Sequence, residues 1–596
     1  MSDLDLGVVG NCAFSALINR RGRVVWCCLP RFDGDPLFCS LINGNGEEEP
    51  ADGFFDVLID DFAYSEQHYE PNTAILLTTL YDQHGSAVEI TDFAPRFVRY
   101  DRMHRPQRLI RLLKPLHGTP RIRVRLRPAH NYGAARLRTV HGSNHISYVG
   151  HAVAYRMTTN VPVSFVLDEV PFLLEQPAAL SFGADDPLRS SVADATRESH
   201  EQTLRYWRDW ARSLSIPFEW QAEVIRAAIM LKLCCFEETG AVIAAMTTSI
   251  PEAAGTERNW DYRYCWLRDA YFVINALNRL GTTRTMEEYL RYIANIAAGA
   301  RESLLQPVYG IALESKLVER QIDTLSGYRG HGPVRVGNQA YEHIQNDVYG
   351  SVIMAATQAF FDRRLAHPGD QRLFERLENL GYQCARLYNQ PDASLWEFRG
   401  IARVHTFSAV MCWAGCDRLC RIAHRMELHD RAHYWQAQAE RIRAEILARA
   451  YDSNRETFVG SFGGTELDAS LLLLHDLQFL AADDPRFLGT VRAVEQELRR
   501  GNHMMRYVEQ DDFGAPKNAF NICTFWLISA LAAIGRKDDA RVIFEDMLNC
   551  RNHLGLLSED TDPATGEMWG NFPQTYSMVG IIHSAVVLSK PWEEAF

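Results

Sequence analysis

The side chains best suited to chemistry gather in a few long segments of the 596-residue chain. NWDYRYCWLRD holds Tyr262, Trp266, Arg268 and Asp269, and QPDASLWEFRG holds Trp396 and Glu397. MMRYVEQDDFGAPKN carries Arg506, and LLSEDTDPATGEMWGNFPQTYS carries Glu559. A further segment, GYRGHGPVRVGNQAYEHIQND, has the same polar and aromatic character. Aromatic rings cover the apolar faces of sugars, while Arg and Asp bind hydroxyls through charged, often bidentate, hydrogen bonds. Two carboxyl groups from separate segments are what hydrolysis of a glycosidic bond requires. Singly, each feature has a plainer meaning: a loop Glu is solvated, and an Arg-Asp pair opening a helix is a cap with a surface ion pair. Their common confinement to long connections carries the functional reading.

The elements that must position these residues follow from hydrophobic periodicity. Up to about residue 195, runs such as GRVVWCCLP, TAILLTTLYDQHG, RIRVRLRP and NVPVSFVLDEVPFLL are bounded by turn residues and predict an antiparallel β-sandwich. A polar helical stretch from Thr196 to Arg212 falls in a connecting region, 196–219. From 220 to 596 the period becomes helical, with twelve segments beginning near Trp220, Tyr264, Arg284, Asp347, Arg372, Val404, Ala432, Asp468, Pro485, Phe520, Lys537 and Tyr576. Connections after even-numbered segments read as tight, roughly two to seven residues, and those after odd-numbered ones as long. That alternation predicts six helical hairpins closed into a double ring, an (α/α)6 barrel, with every long loop at one rim.

The same motifs carry a family resemblance. NWDYRYCWLRDAYFVINAL resembles the sugar-binding signature of glycoside hydrolase family 15, the glucoamylase and bacterial trehalase family. SLWEFRG resembles its general-acid segment, and SFGGTELDASLLLL, RYVEQDD and LLSEDTDPATGEMWGNFPQTYS match the bacterial branch in order and spacing. The opening GNCAFSALINRRGRVVWCCLPRFDGDPLFCSLI is similar to the start of that branch's sandwich. The resemblance implies Glu397 as general acid and Glu559 as general base, with Asp560 and Glu567 in the same loop as alternative bases. It further implies Arg268 and Asp269 on the hydroxyls of a terminal glucose, Tyr262 facing the oxocarbenium ion, Trp396 stacking near the scissile sugar, and Arg506 reaching hydroxyls across the cleavage point. Trp266 belongs to the same sugar-binding signature. Starch-type members follow the acid with a second carboxylate, where this chain has Phe398. That departure favours a short α-glucoside such as trehalose, ahead of malto- or isomalto-oligosaccharides. A glucoside phosphorylase and a non-catalytic sugar-binding or regulatory barrel are the competing readings.

Composition limits the remaining classes. A formal net charge of −13 disfavours nucleic acid and anionic membranes as partners, leaving a small carbohydrate as the expected one and self-association open. The one basic stretch, Arg102 to Arg127, contains RIRVRLR and reads as a strand with one wet face. No apolar run is long enough to span a bilayer, no basic, apolar leader opens the chain, and the 13 cysteines lack paired spacing, so a cytoplasmic location is expected. Cys412, Cys416, Cys420 and His424 recur every fourth residue. A straight helical stripe of this kind cannot close a tetrahedron around one ion, so it reads as core packing. No metal or organic cofactor is implied.

Overall fold

Alternating apolar residues build the N-terminal third into two antiparallel sheets. The computed structural model describes residues 3–44, 52–299 and 304–595. One sheet orders Leu6–Gly10, Ser15–Asn19, Val24–Cys28, Phe54–Ile59, Arg121–Arg127 and Phe172–Leu173, with Pro36–Phe38 added to Val24–Cys28. The other orders Arg138–His141, His145–Val149, Ala154–Thr159, Ala178–Ala184, Arg108–His117, Ala87–Phe93, Leu76–Asp82 and Phe62–Tyr69. Their inner faces share one apolar core that includes Phe14, Val57, Ile90, Val124 and Phe182.

Two local expectations are corrected here. NVPVSFVLDEVPFLL is not a strand: Val163–Leu167 forms a short helix after Pro162, and only Phe172–Leu173 pairs with the sheet. Val163 and Val166 reach the core from that turn, so packing overrides the β preference of branched side chains. RIRVRLR does form the strand Arg121–Arg127, but Arg125 is buried and grips Asp56 with two hydrogen bonds of 3.0 and 2.7 Å. Arg111, on the neighbouring sheet, is likewise buried against Asp92. Arg125 and Arg111 are thus internal struts, while Arg121, Arg123 and Arg127 keep the expected wet face.

Beyond the helix Val192–Arg212 the chain forms the double ring. Helices Leu267–Arg279, Asp347–Thr357, Thr406–Arg425, Asn521–Ala533 and Thr575–Leu588, with the 3-10 helix Ala469–Leu474, pack neighbour to neighbour and close on themselves. Asp347–Thr357, Asn521–Ala533 and Thr575–Leu588 are apolar nearly all round, as helices enclosed on every side must be. Gln221–Leu233, Thr283–Gly299, Gln371–Leu387, His429–Arg449, Pro485–Leu498 and Lys537–Asn549 form the outer ring against them. The eighth segment is thus a 3-10 helix followed by turns, not a regular α-helix. Three reverse connections are three residues long, at 280–282, 426–428 and 534–536, whereas those spanning 358–370 and 475–484 exceed the tight range. Cys412 and Cys416 are buried within Thr406–Arg425. No helix among the described residues is long and apolar enough to cross a membrane.

Sandwich and barrel share apolar surface: Trp26 lies in the same core as the inner helices, and its Nε1 donates to the Met246 carbonyl at 2.7 Å. Within the ring, Gly350 sets the closest helix approach, since a β-carbon there would sit 2.1 Å from the Met411 carbonyl oxygen. Gly350→Val should therefore separate the second and third inner helices, costing about 1–3 kcal/mol from overpacking. A thermal melt should show a clear drop in Tm, and an unchanged melt would contradict this account of the ring.

Candidate active site

The N-termini of the inner helices open onto one cleft of roughly 890 Å³, its mouth included. Its wall contains Tyr262, Trp266, Arg268, Asp269, Trp396, Glu397, Arg506 and Glu559, so residues scattered over about 300 positions meet at one place. Short strand pieces hold them there. Cys265–Trp266 pairs with Val308–Tyr309 just before helix Leu267–Arg279, and Asp560–Thr561 is the middle strand of a three-stranded ribbon before helix Thr575–Leu588. The backbone of Glu559 is fixed by its carbonyl, which accepts from Asn521 N at 2.9 Å, and by its amide, which donates to Asn571 O at 3.2 Å.

Glu397 sits at a tight reversal with φ of 61°, a left-handed conformation also adopted by Ser394. For a residue with a side chain this costs about 1–2 kcal/mol, and it persists because the surroundings over-determine it. The carboxyl oxygen Oε1 accepts from Trp266 Nε1 at 2.6 Å and from Gln345 Nε2 at 3.3 Å. Glu559 is fully buried, and its Oε1 accepts from the Tyr262 hydroxyl at 2.8 Å. The Tyr262 and Trp266 rings meet edge to face with centroids 5.3 Å apart. An aromatic pair thus joins the two carboxyl groups, one ring holding each.

The environments of the acidic groups differ. Burial pushes Glu559 above the ordinary glutamate value; Arg506 and the Tyr262 hydroxyl act against that rise, while Glu397 adds to it. Asp560, buried beside Glu559 with no hydrogen bond to either carboxyl oxygen, is pushed far higher, chiefly by burial. Glu567 instead lies at the surface, bonded to Arg329 and Trp569. Neither Asp560 nor Glu567 lines the cleft. Burial also raises Asp269 to about 7, against the pull of Arg268.

Arg268 is held more firmly than a free sugar ligand would be. Its Nη1 donates to Gln345 Oε1 at 2.8 Å and Asp347 Oδ2 at 3.0 Å, and its Nη2 donates to the Leu395 carbonyl at 3.1 Å. Arg506 is buried and paired with Glu252. Trp396 packs against Tyr507 and Trp526, and Phe398 is also in the wall. Several wall residues escaped sequence reasoning. Gln345 and Asp347, which hold Arg268 from behind the wall, lie in a segment whose polar character was visible, whereas the wall residues Glu252, Trp526 and Tyr576 gave no local signal, the last two being inner-helix residues.

A model of the glycosyl hydrolases family 15 matches residues 221–586. The chain belongs to this family. Proteins named trehalase resemble it over nearly its whole length. That of Thermoplasma volcanium is 31% identical, covering 98% of this chain and 93% of the relative, and that of Mycolicibacterium smegmatis is 32% identical, covering 99% and 92%. Among solved structures, a bacterial glucoamylase complexed with acarbose superimposes with a TM-score of 0.72 at 14% identity, covering 98% of this chain and 94% of that one. This is therefore a family 15 glycoside hydrolase of the trehalase and glucoamylase type, with a sandwich ahead of the helical barrel.

Gly570, with φ of 76°, faces the buried carboxylates: a β-carbon there would lie 2.6 Å from Glu559 Cβ and 2.8 Å from its Oε2. Gly570→Ala should displace Glu559 and lower glycosidase kcat on the order of 100-fold, the effect of an ångström-scale misplacement. Circular dichroism should stay native. Wild-type turnover in this variant would show that the position of Glu559 is not critical.

Proposed function

We propose that the protein is an inverting, exo-acting α-glucoside hydrolase that releases β-glucose from a short α-glucoside, trehalose first, with malto- and isomalto-oligosaccharides next. The observation that carries this reading is the pair of carboxyl groups, Glu397 and Glu559, in one cleft and bridged by Trp266 and Tyr262. The trehalase names of relatives that match almost end to end favour trehalose, as does Phe398 in place of a second carboxylate.

In this mechanism Glu397 is the general acid. Its Oε1 is occupied by the Trp266 and Gln345 donors, so the proton delivered to the leaving oxygen would reside on Oε2. Glu559 is the general base: Tyr262 fixes Oε1, Oε2 is buried beside Gly570 with no hydrogen bond within the protein, and the carboxylate would take the proton of the attacking water. The alternatives in its loop suit the task less well, since Asp560 lies outside the wall, buried with no hydrogen bond to its carboxyl oxygens, and Glu567 pairs with Arg329 at the surface. Arg268 and Asp269, at the start of an inner helix, would bind the hydroxyls of the terminal glucose at the blind end, which limits attack to chain ends. Trp396 and Arg506 would flank the cleavage point. A phosphorylase would bring phosphate in place of the attacking water, against the charge of Glu559.

Three measurements test this reading. Polarimetry or NMR of the fresh products from trehalose should show one β-glucose and one α-glucose per bond cleaved, the α-glucose being the departing sugar with its own anomeric bond intact; α-glucose alone would overturn inversion. Glu397→Gln and Glu559→Gln should each lower kcat about 100- to 10,000-fold, with near-normal turnover removing that residue from its role. The base must be ionised, and burial raises its pKa, so activity should begin to fall with decreasing pH above the ordinary value of 4.5. Arg506→Gln removes the charge that opposes this rise, so the acid limb of kcat/KM should move to higher pH; a limb that moves down or stays would contradict the assignment.

A further inference from the structure

The outer part of the cleft is crossed by one arginine. The Arg399 guanidinium lies 4.7 Å from the Trp260 ring centroid and 5.4 Å from that of Phe513, and those two rings meet edge to face at 5.0 Å. Its Nη2 also pairs with Glu319 at 2.9 Å, and its Nη1 donates to Gln339 Oε1 at 2.9 Å. A planar cation packed on a ring pair and bonded to a carboxylate has a defined position, unlike a lysine in the same place.

The backbone is clasped as well. The amides of Arg399 and Gly400 donate to Asp512 Oδ2 at 2.8 and 3.0 Å. A β-carbon at Gly400 would lie 2.4 Å from Asp512 Oδ1, so a side chain there would push the Asp512 carboxylate aside. Phe513 is set in turn by its amide, which donates to Asp511 Oδ1 at 2.8 Å, and Asp511 is paired with Arg258. Segments near residues 260, 319–339, 399 and 511–513 are thereby tied together over the opening.

Trp260, Arg399, Asp512 and Phe513 all line the cleft. Exposure rises along it, from buried Arg268 and Tyr576 to half-buried Arg399 and Phe513 and exposed Asp512, so the clasp lies at the mouth. Arg399 follows Glu397 by two residues on the same loop. The acid protonates the oxygen of the departing sugar, so that sugar and anything attached beyond it lie on the Arg399 side.

We infer that Arg399, seated against the paired rings of Trp260 and Phe513, is a chain-length stop that closes the leaving-group side of the cleft after one sugar unit, so that disaccharides enter and longer glucans do not. This inference rests on the hydrolase reading above. The test compares kcat/KM for trehalose against a glucosyl-trehalose trisaccharide, and for maltose against maltotriose. In the wild-type enzyme the disaccharide of whichever pair is cleaved should be preferred at least tenfold. Arg399→Ala should narrow that preference at least tenfold, and Phe513→Ala, which frees the arginine without removing it, should narrow it in the same direction. Arg399→Lys should give an intermediate ratio. Hydrolysis with a preference unchanged within about twofold in both alanine variants, or a wild-type enzyme that cleaves the trisaccharide as well as the disaccharide, would overturn the stop alone. Failure of the wild-type enzyme to release glucose from any of the four sugars would overturn the hydrolase reading, and the stop with it.

Discussion

The site depends on keeping two acidic side chains apart yet facing one cleft, and two aromatic hydrogen bonds do this. Trp266 Nε1 holds Glu397 and the Tyr262 hydroxyl holds Glu559, with the rings in edge-to-face contact between them. A rigid pair of rings is a better spacer than two flexible side chains, because each ring has few torsions to fix. It also gives the carboxyl groups unlike surroundings: Glu559 is fully buried, whereas the Glu397 side chain remains partly open to the cleft.

That spacer is itself braced by the N-terminal sandwich. Tyr262 lies between Asp261 and Arg263, which form a fully buried ion pair with bonds of 2.8 Å at both Nε and Nη2. Arg263 reaches on to the Gly34 carbonyl at 2.8 Å, in a loop of the sandwich, while the Asp261 carboxylate also accepts from Gly337 N. A buried pair of this kind is a weak source of net stability once desolvation is counted, but its directional bonds fix geometry. The sandwich therefore reaches the chemistry through one arginine, without lending a residue to the cleft wall.

The barrel supplies the other half of the arrangement. Inner helices that are apolar on every side can be buried together, and their closure into a ring directs six N-terminal ends and the long loops before them to one rim. Polar residues tolerated at those ends, such as Asp347, Gln345 and Gln574, are hydrogen-bonded, as most buried polar groups are. Arg268 is the clearest case, since its several partners orient it before any sugar arrives.

Elements with strong local periodicity were legible in the amino-acid sequence: predicted starts of inner and outer helices fall within a few residues of the observed ones, as at Asp347, Pro485 and Lys537, and the strands around Val24, Leu76 and Arg121 form where alternation placed them. Motifs in their order identified the family for the same reason, being strings of neighbours. Contacts between distant residues were not legible. Sequence left Glu559, Asp560 and Glu567 as three acids in one loop, and only the folded chain gave them a cleft wall, a closed interior and an exposed pairing with Arg329. It likewise took the tertiary structure to bury Arg125 on Asp56, to turn Val163–Leu167 into a helix and to draw Arg399 against the rings of Trp260 and Phe513. Periodicity is a property of adjacent residues, whereas burial, ionisation and hydrogen-bond partners are set by groups hundreds of positions away.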